Sequence, residues 1–241
     1  KVRPEEIILE THLNTLDRDT ILKVRELLPN KKVSFEIGVE SVSPDVLFYS
    51  MNKPSGIERM KEKLELIHSV HAACIANVLL GAPFLTREEQ IWDSVEAIRA
   101  LLDAGADSVV LFPVNIKPHT LPDLLYEEGM YQQIRADMLV TVLERIPETE
   151  LHRVDLSWYG EHAEEKVIGP YYCPKCQGSL KSYISDFVLA KTAEERNSIL
   201  SKMSEQRCVC EEETGEYFQM SYYERLKMGY DLIRKKTAPK K

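Results

Sequence analysis

The sequence predicts an α/β fold with a parallel β-sheet, followed by a cysteine-rich appendage. Apolar segments typical of strands alternate four times with amphipathic helical segments, over short connections. Polar residues follow the predicted strands, and four of the five cysteines form two close pairs in the last third of the chain. We therefore expect a (β/α) domain at residues 1–146. Residues 147–241 are expected to form a metal-binding region that ends in a helix and a basic tail.

The composition is typical of a globular protein rather than a membrane protein. The 241 residues are 44% hydrophobic and 29% charged, and no apolar run approaches the ~20 residues of a membrane helix. We recognise no signal peptide and expect a cytoplasmic protein with no membrane partner. The formal net charge of −8 disfavours a broad nucleic-acid-binding surface, which needs basic residues.

The first two strand–helix units are predicted from residues 7–13 and 33–41. Residues 7–13 are apolar and become polar at the end, and residues 17–28 carry an apolar stripe at helical spacing. Residues 33–41 alternate between apolar and polar. Since alternate side chains of a strand point to opposite faces, one face is apolar and the other carries Glu36, Gly38 and Glu40.

The next two units extend the same pattern. An amphipathic helix at residues 57–73 precedes a strand at 74–83, which is almost continuously apolar, as expected for a parallel strand covered on both faces. A helix capped at Thr86 follows. A fourth strand at 108–116 is followed by a largely helical stretch at 121–146. Four strands are too few for a closed eight-stranded barrel.

The polar residues at the strand ends are candidates for a binding site, because α/β folds bind ligands at the carboxyl edge of the sheet. A carboxylate there can accept hydrogen bonds from ribose hydroxyls or an ammonium group. A glycine lets a planar ring approach the backbone. The candidates are Glu10, His12, Glu40, Ser41, Gly81, Pro83, Asn115 and Lys117.

The two cysteine pairs are candidates for a metal site. They are Cys173 with Cys176, and Cys208 with Cys210. Four thiolates in two tight pairs favour a tetrahedral zinc ion. An auxiliary iron–sulfur cluster stays open because Cys-x-Cys is tighter than the commonest zinc spacing, and disulfides or free thiols are the third alternative. Cys74 lies in an apolar run and is expected to be a buried thiol.

The order of FEIGVES, MNKP, VLLGAP and VNIKPHT along the chain resembles the later half of the radical SAM partial barrel. The resemblance covers about residues 7–121. It is to the branch with the methylthiotransferases, the coproporphyrinogen oxidases, the Elongator-type enzymes and the radical SAM subunit of archaeosine biosynthesis. It implies a six-stranded (β/α) partial barrel, of which about four units lie in this sequence.

The resemblance also implies roles for the candidate residues in binding S-adenosylmethionine. Glu40 and Ser41 match the pair that contacts the ribose or the amino-acid part of the cofactor. Gly81 and Pro83 match the strand end that lies against the nucleoside. Asn115 and Lys117 match the strand end that approaches the adenine or closes over the substrate. We expect Glu10 and His12 to face the same mouth and to contact the cofactor or the substrate.

One motif of the family is missing from this sequence: the Cys-x3-Cys-x2-Cys loop that holds a [4Fe–4S] cluster. We expect an upstream segment or a separate chain to carry it. With that loop, the resemblance implies reductive cleavage of S-adenosylmethionine to a 5′-deoxyadenosyl radical, with tRNA or another nucleoside as a candidate substrate. The alternative is a non-catalytic zinc-containing module, or one half of a split enzyme, that docks a partner or nucleic acid.

Overall fold

A computed structural model describes residues 4–53, 56–157, 167–208, 210 and 215–237, so the tail residues 238–241 lie outside the described part. A parallel sheet with five strands in sequential order forms its centre. The strands are β1 (Glu6–His12), β2 (Lys32–Glu40), β3 (Ala73–Leu80), β4 (Ser108–Pro113) and β5 (Val154–Leu156). The first four are the strands that the sequence predicts, and the parallel α/β class is confirmed.

Strand β5 extends the sheet beyond residue 146 and is not apparent in the sequence. It has three residues, pairs in parallel with β4, and follows a short 3₁₀ helix at Glu148–Arg153. Only Val154 and Leu156 are buried, so the alternating pattern is too short to be distinguished from a loop. The helical stretch expected at 121–146 is two helices, α4 (Leu121–Glu127) and α5 (Ala136–Glu144).

The other helices of the first half follow the predicted strands. They are α1 (Arg18–Leu27), α2 (Ile57–Ser69) and α3 (Arg87–Asp103), and a short π-helix spans Val46–Ser50. Helix α3 begins with the capping box expected at Thr86. On β2 the helix-facing Phe35 and Ile37 are buried, whereas Glu36 and Gly38 on the other face are only partly covered. We call this second face the inner face of the sheet.

The expectation that β3 is covered on both faces is wrong. Ala76 and Val78 face the helices and are fully buried, but Ile75 and Leu79 on the inner face are only partly buried. Asn77 between them is 8% exposed, so the inner face of β3, which opens onto a groove, is less covered than the helix-facing one although not uniformly open. Helices packed against one face of a parallel sheet and an open inner face are the arrangement of a partial barrel.

The remaining helices are α6 (Leu180–Leu189), α7 (Ala193–Ser204) and α8 (Tyr222–Thr237). Helices α6 and α7 are joined by three residues and pack against each other. Their apolar side chains, such as Phe187 and Met203, belong to the same buried cluster as the strands. No helix in the described ranges is long and apolar enough to cross a membrane.

Helix α8 packs over the carboxyl edge of the sheet. Arg225 on α8 is 1% exposed; its Nε donates to the Phe84 carbonyl at 2.6 Å and its guanidinium pairs with Glu89. Gly229 is required there, because a Cβ would lie 2.3 Å from the Phe84 ring. Tyr222 lies 3.0 Å from the hydroxyl of Ser50. Helix α8 thus holds the loops that follow β2 and β3.

Candidate functional site

A polar groove of about 540 Å³ lies at the carboxyl end of the inner face. The register of the parallel strands assembles it: Glu10 on β1 lies beside Glu36 on β2, and His12 lies beside Gly38. Strand β3 adds Asn77 and the loop after the π-helix adds Lys53. The polar lining includes Glu10, Thr11, His12, Glu36, Glu40, Lys53 and Asn77.

A β-bulge shapes the wall of the groove at the end of β2. The register with β3 shifts between Gly38 and Glu40, and Glu40 has a φ of 72°. This left-handed conformation is uncommon for a residue with a side chain and costs of order 1 kcal/mol. Glu40 is held by Lys53, whose Nζ donates to Oε1 at 2.7 Å. The bulge directs the Glu40 carboxylate across the groove rather than along the strand.

Gly38 forms the floor of the groove beneath this ion pair. A Cβ at Gly38 would lie 2.8 Å from Oε1 of Glu40 and 3.5 Å from Nζ of Lys53. The missing side chain therefore makes room for the ion pair.

The groove is acidic, because Glu10, Glu36 and Glu40 face one ammonium group, that of Lys53. With His12 neutral, three negative charges and one positive charge give a formal charge of −2. Glu36 accepts from Nδ2 of Asn77 at 3.0 Å. Such a lining favours a ligand that carries positive charge and hydrogen-bond donors.

His12 is oriented by the backbone that follows it. The Asn14 N–H donates to Nδ1 of His12 at 3.1 Å. In the neutral ring the proton is then on Nε2, which is free to donate to a ligand in the groove.

Ser41 lies at the same strand end but does not line the groove. It is fully buried, and its hydroxyl donates to Oδ1 of Asp93 on α3 at 2.7 Å and accepts from the Ser43 N–H at 3.0 Å. Burial raises the pKa of Asp93 to about 6. In this structure Ser41 joins the end of β2 to α3, and its contact with the cofactor stays a prediction.

Gly81 has a φ of 120°, and other side chains fill the space beside it. A Cβ there would lie 2.8 Å from both the Tyr131 hydroxyl and Cδ1 of Ile134. The Tyr131 hydroxyl donates to the Gly81 carbonyl at 2.7 Å. The close approach that this glycine permits is therefore made by the segment between α4 and α5. Pro83 is buried next to it, and a nucleoside contact at either residue stays a prediction.

Asn115 and Lys117 follow β4, outside the lining of the groove. Asn115 is partly buried, with its Oδ1 3.4 Å from the position of a Cβ on Gly169. Lys117 is exposed, and its carbonyl accepts from the Thr120 hydroxyl at 2.7 Å. Of the eight predicted residues, the structure thus brings Glu10, His12 and Glu40 together.

Four polar residues of the groove were not among the candidates: Thr11, Glu36, Lys53 and Asn77. Glu36 shares its strand face with Gly38 and Glu40, so the alternation of β2 could have identified it. Asn77 is the one polar residue inside the apolar strand β3, which is also a signal. Lys53 comes from a loop, and no pattern in the sequence indicates its contact with Glu40.

The four paired cysteines form a compact cluster. Their Sγ atoms all lie within 4.8 Å of one another, with Cys176 and Cys210 3.5 Å apart and Cys173 and Cys210 3.9 Å apart. The cause is the helical hairpin between the pairs: α6 leads away from Cys176 and α7 returns toward Cys208. The cluster therefore closes the open end of the hairpin.

Backbone contacts anchor this cluster to the α/β core. The Tyr171 N–H donates to the Ile134 carbonyl at 2.7 Å, and the Ala136 N–H donates to the Tyr171 carbonyl at 2.9 Å. The Cys208 N–H donates to Asp137 on α5 at 3.3 Å, and Asp137 also pairs with Arg135. The cluster thus joins the segment before α6 and the segment after α7 to the start of α5.

The chemistry of the cluster suits a cation. A hydrogen bond from the Lys175 backbone lowers the pKa of Cys173 to about 7. The neighbouring thiols, Cys176 first, raise the pKa of Cys210 to about 12. Deprotonating all four is unfavourable until a positive charge lies between them. The four cysteines could hold a metal ion.

Comparisons with known proteins agree with this geometry. No protein-family model matches the chain. An uncharacterized protein of Methanocaldococcus jannaschii is 20% identical over 190 residues, which are 78% of this chain and 51% of that protein. The archaeosine synthase subunit beta of Thermococcus kodakarensis is 25% identical over 128 residues, 53% of this chain and 39% of its own. The archaeosine synthase subunit beta of Methanosarcina acetivorans is 21% identical over 213 residues, which are 87% of this chain and 58% of that protein.

The chain spans about half the length of the curated relatives it matches. Among solved structures, Elp3 of Methanocaldococcus infernus with an N-terminal deletion superposes with a TM-score of 0.55 at 15% identity. The superposition covers 84% of this chain and 43% of that one, and it shows a shared fold. In its fold and in these relatives, the chain is similar to members of the radical SAM superfamily.

Proposed function

We propose that this chain forms the cofactor-binding side of a radical SAM enzyme, with the inner groove as its S-adenosylmethionine site. The observation that carries the proposal is the acidic groove at the carboxyl edge of a parallel sheet. S-adenosylmethionine has a sulfonium and an ammonium group, and its ribose hydroxyls are donors. The groove offers the carboxylates of Glu10, Glu36 and Glu40 as acceptors.

The residues of the groove have distinct proposed roles. Glu36 and Glu40 accept from the ribose or ammonium group of the cofactor, and Lys53 holds the Glu40 carboxylate in place. His12 donates from Nε2 at the outer end of the groove, where the substrate enters. Ser41 acts from behind the strand by fixing the bulge through Asp93. When bound, the cofactor and a [4Fe–4S] cluster supply the one-electron chemistry.

The [4Fe–4S] cluster requires three cysteines at a Cys-x3-Cys-x2-Cys spacing that this sequence does not contain. We propose that an upstream segment or a partner subunit supplies these cysteines. The relatives named as beta subunits of archaeosine synthase support a subunit arrangement and a nucleoside as substrate. We propose tRNA as the carrier of that nucleoside.

We further propose that the cysteine cluster holds one structural zinc ion. Thiolates around one tetrahedral zinc, with bonds of about 2.3 Å, lie about 3.8 Å apart, close to the 3.5 and 3.9 Å spacings of Cys210. A four-iron cluster binds each thiolate through a different iron and needs a wider spacing. The anchoring of the cluster to the core also favours a structural role.

The test of the groove is S-adenosylmethionine binding to this chain joined to the upstream segment or partner subunit that carries the [4Fe–4S] cluster, measured by titration calorimetry. We expect Glu40→Gln and Glu36→Gln each to weaken binding about tenfold or more, the loss of one charge-assisted hydrogen bond. Glu58→Gln is the matched control, because Glu58 is an exposed residue on α2 that pairs with Lys61. Unchanged affinity in both groove variants would refute the assignment. A cluster-containing assembly that does not bind the cofactor would favour the non-catalytic module.

A further inference from the structure

A second cavity, of about 630 Å³, lies outside the groove, between the loop after β2, the first half of α3 and the start of α8. We call it the α3 pocket and define it by Val46, Leu85, Trp92, Asp93, Glu96 and Tyr222. Val46 and Leu85 provide apolar walls. Trp92 is 57% exposed although it is a large aromatic residue at the cavity wall. A pocket of this size with an exposed tryptophan is typical of a ligand site rather than of packing.

The charged groups that line the α3 pocket are all acidic. Five carboxyl side chains contribute to the lining: Asp45, Glu88, Glu89, Asp93 and Glu96. Four of them have donors elsewhere in the described chain. Asp45 accepts from the Tyr223 hydroxyl, Glu88 pairs with Arg145, Glu89 with Arg225 and Glu96 with Arg99.

Asp93 is the exception among these carboxylates. It is 8% exposed, and its Oδ1 accepts from the neutral Ser41 hydroxyl at 2.7 Å. Its Oδ2 is shielded from solvent and has no hydrogen-bond partner among the residues that the structure describes. A buried carboxylate without a cationic partner is costly, so a bound cation at this position relieves a real penalty.

We propose that the α3 pocket binds a primary ammonium group carried on an apolar or aromatic chain. Asp93 is the anionic partner of the ammonium group. Trp92 covers its apolar part and adds a cation–π contact. Neither role depends on the function proposed for the groove. The ammonium group comes either from a free amine or from the lysine side chain of a peptide, which share this chemistry.

The test compares phenethylamine with 2-phenylethanol, its neutral counterpart, by titration calorimetry on the whole chain at pH 7.5. We expect the amine to bind at least about tenfold more tightly, the value of one desolvated charge pair. Asp93→Asn should remove this preference while keeping an acceptor for Ser41. Glu58→Gln is the matched control, because Glu58 lies outside the pocket on α2, is exposed and pairs with Lys61, and it should change the affinity less than about twofold.

A second variant keeps the proposal testable if Asp93→Asn does not fold. Trp92→Ala removes an exposed side chain and should weaken amine binding about tenfold without unfolding the chain. A parallel titration with Nα-acetyl-lysine methylamide decides the source: stronger binding than phenethylamine indicates a peptide lysine, and weaker binding a free amine. Equal affinity for the amine and the alcohol, or amine binding unaffected by both variants, would overturn the proposal.

Discussion

The cysteine cluster and the inner groove are built in opposite ways. The cluster takes its four cysteines from two short segments of the chain, and a helical hairpin brings these segments together. The groove takes its polar residues from three strands and a loop, and their proximity depends on strand register and on a bulge. A site of the first kind can be read from spacing along the chain. A site of the second kind depends on the fold as a whole.

The two sites also differ in what they do for the fold. The cluster links the segment before α6 and the segment after α7 to α5, so we expect its loss to affect stability. The groove contains the strained residue Glu40 and has an acidic lining, and neither feature stabilises the fold. We therefore expect the groove to contribute to ligand binding. Stability should therefore depend on the cluster and binding on the groove.

The largest expected effect is that of Cys176→Ser. With three thiolates the proposed zinc site is incomplete, and the α6–α7 hairpin loses its closure, so we expect a loss of about 4 kcal/mol or more in unfolding free energy. Chemical denaturation together with metal analysis measures it. Cys74→Ala is the control, because Cys74 is a buried cysteine outside the cluster and should leave about one zinc per chain. A fully stable, metal-free Cys176→Ser protein would contradict the comparison.

Gly81→Ala should cost about 3 kcal/mol. Its φ of 120° strains any side chain, and the added Cβ meets Tyr131 and Ile134 at 2.8 Å. Gly38→Ala is the matched variant in the groove. Its Cβ meets only the end of the flexible Glu40 side chain, so stability should change little while cofactor affinity falls. Thermal unfolding and titration calorimetry of both proteins test this. A large loss of stability in Gly38→Ala with little loss in Gly81→Ala would show that Gly38, not Gly81, is needed for the fold.

Asp93 should make stability depend on pH. Its pKa is raised in the folded state to about 6, so its folded form binds the proton more tightly than the unfolded chain does. Its contribution is therefore most favourable below pH 4 and is lost as the pH rises through 6, a change of about 3 kcal/mol at most. The measurement is the difference in unfolding free energy between wild type and Asp93→Asn from pH 4 to 8. A difference that is constant with pH would exclude the burial of this charge.

Lys53→Met should have the smallest effect on stability. The Lys53–Glu40 pair has partly exposed side chains, at 27% and 21%, so its loss should cost about 1 kcal/mol or less. The same change leaves Glu40 unsupported in the groove, so S-adenosylmethionine binding should weaken by a larger factor. Lys61→Met, which breaks an exposed pair with Glu58, is the control for both measurements. A loss of several kcal/mol would make the groove a stabilising element.

The features that the sequence predicts are those that depend on residues close together along the chain. The alternation of residues 33–41 predicts β2 and its polar face, and the cysteine spacing predicts the cluster, since both signals are local. The short strand β5 has too few residues to give a period. The Ser41 side chain faces α3, because the bulge at Gly38 and Glu40 changes the alternation there, and no local pattern predicts a bulge.

The conformation of the loops at the carboxyl edge of the sheet depends on contacts with helix α8, which is distant in sequence. Arg225 bonds to Phe84, 141 residues earlier, and Phe84 has a φ of 69° that its neighbours must maintain. The ribosome releases α8 after every strand of the sheet, so the loops around Phe84 and Ser50 cannot reach their final shape until late in synthesis. Substitutions on one face of α8 could thus alter the entrance to the ligand sites while every residue inside them stays the same.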